Sequence, residues 1–155
     1  MPDAPIYTIG YGSRDVGAFL NALTEYGIEY LVDVRSYPES SGYKQDFARG
    51  KLGPRVGQVG VGYVYMGDVL GGRPADERFY VGGRVDYDAY ARHPAYLEGV
   101  ERLLTAYRGG HVLAIMCAEG DPSGCHRTRL VGESLALAGA AVAHIMPDGG
   151  TVAHA

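Results

Sequence analysis

Apolar and polar positions alternate along this chain in two rhythms, and most of its elements follow from them. Residues 6–11, "IYTIGY", are β-rich and run into glycine, the pattern of a first strand. Ser13 stands where an N-cap belongs, and Val16, Phe19, Leu20 and Leu23 behind it share one helical face. Gly27 is placed to end that helix. In "IEYLVDVRS", Tyr30, Leu31, Val32 and Val34 form a nearly continuous apolar run, which suits a strand covered on both faces. Strand, helix and strand with short links make a βαβ unit.

Between Tyr37 and Asp88 the regularity fades. "YPESSGYKQDFARGKLGPRVGQVG" reads as loop with room for one short helix, a third strand falls at residues 63–66, and "RPADERFYVGGRVDYDAYARHP" reads as loop again. Such a long loop in a compact domain is functional or mobile, or it conceals elements the pattern does not display. Pro94 suits the first turn of a helix reaching Tyr107, with Leu97, Val100, Leu103, Leu104 and Tyr107 as its stripe and Gly109–Gly110 as its stop. "HVLAIMC" is the fourth and best-defined strand. A helix from about Cys125 to Leu137 turns Leu130, Val131 and Leu135 inward, and "AAVAHIM" is the last strand. Alternating strands and helices predict an α/β fold: a three-layer sandwich, Rossmann-like, with a mostly parallel central sheet.

The chain's 155 residues fit one domain. A net charge of -4 argues against a globally basic nucleic-acid binder, while leaving a local basic patch open. No apolar run approaches the ~20 residues of a membrane span. The start, "MPDAPIYTIGYG", lacks the basic and apolar regions of a secretory signal, so the expected location is cytoplasmic. Two cysteines in such a chain favour a thiol role over a stabilising disulfide. Glycine is abundant at 24 residues, as is tyrosine at 13. The glycines fit tight turns and close backbone approaches.

In open α/β sheets, ligands bind at the carboxyl ends of the strands. That rule selects Gly10, Tyr11 and Ser13 after strand one and Asp33, Arg35 and Ser36 after strand two. Arg73 follows strand three, and Cys117 and Glu119 follow strand four. In "CAEGDPSGCHR", residues 117–127, Cys125 falls near a helix N-terminus, where free N–H groups stabilise a thiolate, and His126 and Arg127 add positive charge. Cys125 then acts as nucleophile or redox-sensitive thiol, or the same terminus binds an anion with Arg127 as bidentate partner, or Cys125 merely packs. Cys117 is a buried strand residue on the plainest reading; a Cys117–Cys125 disulfide is an alternative. A zinc site from Cys117, Glu119, Cys125 and His126 matches no standard spacing, so no metal or cofactor is expected. Asp33 and Arg35 share one side of their strand, as an ion pair fixing the rim or as ligand contacts. "GYGSRD" lacks the third glycine of a dinucleotide fingerprint and is not a Walker motif. Tyr11, Tyr37, Tyr63 and Tyr65 either stack on a base or sugar or form half-buried core. His93, His111 and His144 have no company that points to chemistry.

Four ordered motifs, "TIGYGSR", "VDVRSYP", "LGGR" and "MCAEGDPSGCHR", make the chain resemble the DUF488 family over nearly its whole length. The resemblance implies one small α/β domain over residues 1–155. It also implies shared polar residues at Gly10, Ser13, Asp33, Arg35, Arg73, Cys117, Glu119, Cys125, His126 and Arg127, without defining an activity. The glycine-rich middle, "GKLGPRVGQVGVG", departs from what the resemblance leads one to expect before strand three. Two functions fit. One is an enzyme acting on an anionic substrate, a nucleotide or nucleic-acid component. Arg35, Arg73 and Arg127 would hold the anion, Glu119 or Asp33 would serve as acid or base, and Cys125 or His126 would assist. The other is a non-catalytic nucleotide-binding or thiol redox-sensing module. Rhodanese- and phosphatase-type enzymes share the strand-loop-helix plan but carry an arginine shortly after the cysteine, whereas Arg127 is far from Cys117. Nothing in the residues fixes the oligomeric state.

Overall fold

The computed structural model describes residues 4–12, 14–36, 45–71, 77–117 and 127–154. Its centre is a six-stranded sheet in the order β3-β2-β6-β1-β7-β8. The strands are β1 (Ile6–Gly10), β2 (Tyr30–Asp33), β3 (Gly62–Tyr65), β6 (Leu113–Cys117), β7 (Val142–Ile145) and β8 (Thr151–Ala153). All neighbours pair in parallel except β7 and β8, which are antiparallel. A separate hairpin joins β4 (Tyr80–Val81) to β5 (Arg84–Val85). The expected mostly parallel α/β sandwich is the fold observed.

Period-two alternation divides the core between the two faces. Leu113 and Ile115 of β6 pack on one side with Val32, Val100 and Leu103; Ala114 and Met116 pack on the other with Leu31, Phe19 and Leu52. The first face is covered by α5 (Pro94–Arg108) and α6 (Glu133–Leu137), the second by α1 (Val16–Glu25) and α2 (Arg49–Gln58). The short helices α3 (Gly67–Leu70) and α4 (Tyr87–Tyr90) lie in the long connection before α5.

Helix α1 buries Phe19, Ala22 and Leu23, and Val16 and Leu20 pack beside them. Its N-cap is Asp15, whose Oδ1 accepts from the Ala18 N–H at 2.7 Å, rather than Ser13, which lies outside the described residues. Gly27 ends the helix at φ +67°, a conformation other residues reach only with strain. On α5 the stripe is Tyr96, Gly99, Val100, Leu103 and Leu104; Leu97, expected to face inward, is 49% exposed, and Tyr96 takes the buried position.

The stretch between strands two and three, read as loop with room for one short helix, holds the ten-residue helix α2. Gly50, Gly53 and Gly57 each cost about 1 kcal/mol relative to alanine in a helix, and Pro54 costs about 3 kcal/mol because it lacks the N–H for the preceding turn. Leu52 and Val56, both fully buried, return roughly 1.5–3 kcal/mol each. The opposing terms are similar in size, so docking on the sheet makes this segment helical and periodicity alone does not reveal it. Strand β3 starts one residue before the expected span, and β8 follows what was expected to be the last strand. No helix among the described residues is long and apolar enough to cross a membrane.

Candidate functional site

The sheet sets β2, β6 and β1 side by side, with Asp33 opposite Met116 and Gly10 opposite Cys117. The chain leaves β1 and β2 toward α1 and α2 on one face, and leaves β6 toward α6 on the other. Connections that part in this way open a crevice on either side of the β6 carboxyl end, where α/β sheets bind ligands. Gly10, Tyr11, Asp33, Arg35 and Ser36 therefore lie at the carboxyl ends of β1 and β2, on either side of the Cys117 backbone at the end of β6. Ser13, Arg73, Glu119, Cys125 and His126 lie outside the described residues, as do the side chains of Cys117 and Arg127. The alternatives of thiol, disulfide and zinc rest on those residues.

At the end of β2, Asp33 is fully buried and Arg35 is 7% exposed. Asp33 Oδ1 accepts from Arg35 Nε at 2.9 Å and from the Arg35 backbone N–H at 3.0 Å, and Oδ2 accepts from Arg35 Nη2 at 2.8 Å. The Tyr63 hydroxyl also donates to Oδ2. Burial works against the guanidinium charge, but the hydrogen bonds and charge of Asp33 outweigh it and hold the Arg35 pKa above its usual value. The Tyr63 phenol is pushed far above the ordinary tyrosine range, first by burial and then by its bond to Asp33. Of the two roles open to this pair, the structure contains the ion pair: Asp33 has both oxygens occupied inside the protein, an arrangement that fixes the rim.

Tyrosines brace the same corner. Tyr11 is stacked on Phe47 at 4.3 Å between ring centres, and the Arg35 guanidinium carbon lies 5.7 Å from its centroid. Phe47 in turn meets Phe19 edge-on. The Tyr65 hydroxyl donates to the Arg35 carbonyl at 3.0 Å, and Arg49 lies over the Tyr65 ring at 4.5 Å. Gly67 at the start of α3 is so close that an added Cβ would fall 1.9 Å from the Arg35 carbonyl oxygen, so only glycine admits this approach. Tyr11 supports the rim from within the core and Tyr63 and Tyr65 from half-buried positions beside it, and Tyr37 lies outside the described residues. The sequence gives one cue to this brace: Tyr63 and Tyr65 alternate on β3 as Asp33 and Arg35 do beside them. Nothing local points to Phe47.

On the far side of the crevice, residues Arg127–Gly132 form a π-helical turn before α6. It contacts β1 and β6 and buries Leu130 and Val131. Single π turns inside helices occur often at functional sites. Arg14 anchors the opposite flank by donating to the Gly10 carbonyl at 2.6 Å.

The family model for DUF488, a domain of unknown function, matches residues 15–133. The chain belongs to the DUF488 family. The matched part of this DUF488 protein holds "VDVRSYP", "LGGR" and "MCAEGDPSGCHR", while "TIGYGSR" starts ahead of it. No curated protein and no solved structure matches the chain. A cavity of about 270 Å³ lies away from the crevice, between α5 and the starts of β2 and β6, lined by Tyr30, Val32, Arg102, Leu103, His111 and Leu113. It shares no residue with the candidate site. Chemistry, rather than concavity among the described residues, selects the rim.

Proposed function

We propose that this DUF488 protein is an enzyme acting on a small anionic substrate, a nucleotide or nucleic-acid component, bound at the carboxyl ends of β1, β2 and β6. One observation carries the reading: the connections from β1 and β2 lead to helices on one face and that from β6 to a helix on the other, the arrangement in which α/β sheets bind ligands at the strand ends, and the motif begins at Cys117, the last residue of β6. On this reading Arg127 and Arg73 hold the anion and Glu119 serves as acid or base, with Cys125 or His126 assisting. Asp33 and Arg35, bound to each other, position the rim; Gly10, Ser13, Ser36 and Cys117 line it. The overall acidic charge favours a small ligand over an extended nucleic acid.

The test is a thermal-shift screen of nucleotides, inorganic phosphate, phosphosugars, short oligonucleotides and divalent metals on the wild type and on Arg127→Ala and Glu119→Ala. A ligand at a hundredfold over its Kd adds about 2.7 kcal/mol, or roughly 5–10 °C in Tm for a chain of this size. The wild type should show that rise with a phosphate-bearing class, Arg127→Ala should lose it at an unchanged ligand-free Tm, and Glu119→Ala should bind but not turn over. Binding without turnover of any bound ligand selects the non-catalytic module instead. Absence of any anion-dependent rise refutes the site.

A further inference from the structure

A second polar cluster lies at the other end of the sheet order and takes no part in the crevice. Thr8 on β1 is fully buried and His144 on β7 is 4% exposed. Thr8 Oγ1 lies 2.6 Å from His144 Nδ1, His144 Nε2 lies 2.9 Å from His154 Nδ1, and His154 Nε2 lies 2.9 Å from Glu133 Oε2. The chain of contacts links β1, β7, the residue just after β8 and the first residue of α6. The His154 side chain is 7% exposed and Glu133 is half exposed, so the cluster reaches solvent at one end.

These contacts allow one proton arrangement when both rings are neutral and Glu133 is ionised. Glu133 accepts, so His154 carries its proton on Nε2. His154 Nδ1 then accepts from His144 Nε2–H, and His144 Nδ1 accepts from the Thr8 hydroxyl. One further proton is accommodated, because either ring can become the donor at the shared contact while the other nitrogen there stays bare. Two are not, since both facing nitrogens would then carry N–H at 2.9 Å.

We propose that this pair is an acid-sensitive latch that holds the C-terminal strand β8 on the sheet. Among the contacts of the described residues, Thr8 from β1 and Glu133 from α6 meet the two rings, and the His154 backbone N–H donates to Val142 O of β7 at 2.9 Å. The docked tail takes at most one proton on the pair, and the released tail takes two. The released state binds more protons, so docking strengthens as pH rises and weakens on acidification, once the pH falls below about 6.5, where a solvated histidine charges. The turn before β8 is held separately: Arg14 donates to the Met146 carbonyl and Tyr26 to the Gly149 carbonyl. Release is therefore confined to residues after that turn, and it frees the contact that steadies Glu133 at the start of α6.

Amide hydrogen exchange of the full-length protein tests this, with rates corrected for the intrinsic effect of pH. Protection at Thr151–His154, measured relative to Ile6–Ile9, should fall by at least about tenfold per pH unit well below roughly pH 6.5. His154→Gln offers an acceptor and a donor without charging; it should keep protection at neutral pH and lose the pH dependence. If that variant is unprotected at every pH, the ring itself holds the strand, which supports the latch, and the wild-type profile decides the acid response. A wild-type ratio that stays constant on acidification, or a His154→Gln protein with the wild-type pH profile, overturns the proposal.

Discussion

Arg35→Ala isolates the energetics of the rim. It removes two of the four hydrogen bonds to Asp33 and its bonded cation, leaving a fully buried carboxylate with the Tyr63 hydroxyl and one backbone N–H. Breaking a buried ion pair from one side costs about 3–5 kcal/mol, because the remaining charge has lost its water and its partner. That is a large share of the roughly 5–15 kcal/mol that holds a domain of this kind. In urea, with a slope of about 2 kcal/mol per molar, the unfolding midpoint should drop by about 2 M. Asp33→Ala removes the buried carboxylate that binds the guanidinium and should also destabilise the fold. The double variant strands neither charge, so it should cost less than the sum of the single variants by about 1–3 kcal/mol. Equilibrium urea unfolding of all four proteins, followed by circular dichroism, completes the cycle. A loss below about 1 kcal/mol for Arg35→Ala, or strict additivity, refutes the claim that this pair fixes the rim.

Three further outcomes follow from the packing. Gly67→Ala places a Cβ 1.9 Å from the Arg35 carbonyl oxygen and should cost at least about 1–3 kcal/mol, whereas Gly57→Ala, in open space on α2, should gain up to about 1 kcal/mol; urea midpoints report both. Leu52→Ala removes the fully buried anchor of α2 and should lose about 2–5 kcal/mol, with hydrogen exchange showing protection lost first over Arg49–Gln58. Burial, and secondarily Asp68, pushes the Tyr90 phenol up to about 12, and burial holds Tyr63 and Tyr96 higher still. The folded chain then keeps protons that the unfolded chain releases near pH 10, so stability should fall as pH rises above about 10, and phenolate absorbance should show these tyrosines ionising late.

What the sequence reveals of this protein depends on how local the cause is. The strands β1, β2 and β6 are legible because their side chains alternate between two buried faces, and Leu130, Val131 and Leu135 are legible because their spacing is helical. Period two places Asp33 and Arg35 on one side and leaves ion pair and ligand contact both open; the structure, with Arg35 just past the end of β2, holds the ion pair. Helix α2 is hidden because Gly50, Gly53, Pro54 and Gly57 disfavour a helix locally while Leu52 and Val56 favour it only against the sheet. Tyr96 is buried where Leu97 was expected: it lies three and four residues before Gly99 and Val100 on the packed stripe, and its hydroxyl meets Ser134 at 2.8 Å. The contact between His144 and His154 depends on β8 returning antiparallel to β7, so His144 looks isolated in the sequence and is not. Within the candidate site, the rim residues are fixed by strand register, whereas Phe47 and the Tyr63 hydroxyl enter through tertiary packing.

The central claim is that the carboxyl ends of β1, β2 and β6 hold an anion. Backbone amide NMR of the full chain, titrated with inorganic phosphate and with a nucleoside monophosphate, tests it most directly. The account predicts saturable shifts centred on Gly10–Tyr11, Ser36 and the π-helical turn Arg127–Gly132. Shifts confined to the opposite end, around Arg102 and His111, or no saturable shift with either anion, would contradict it.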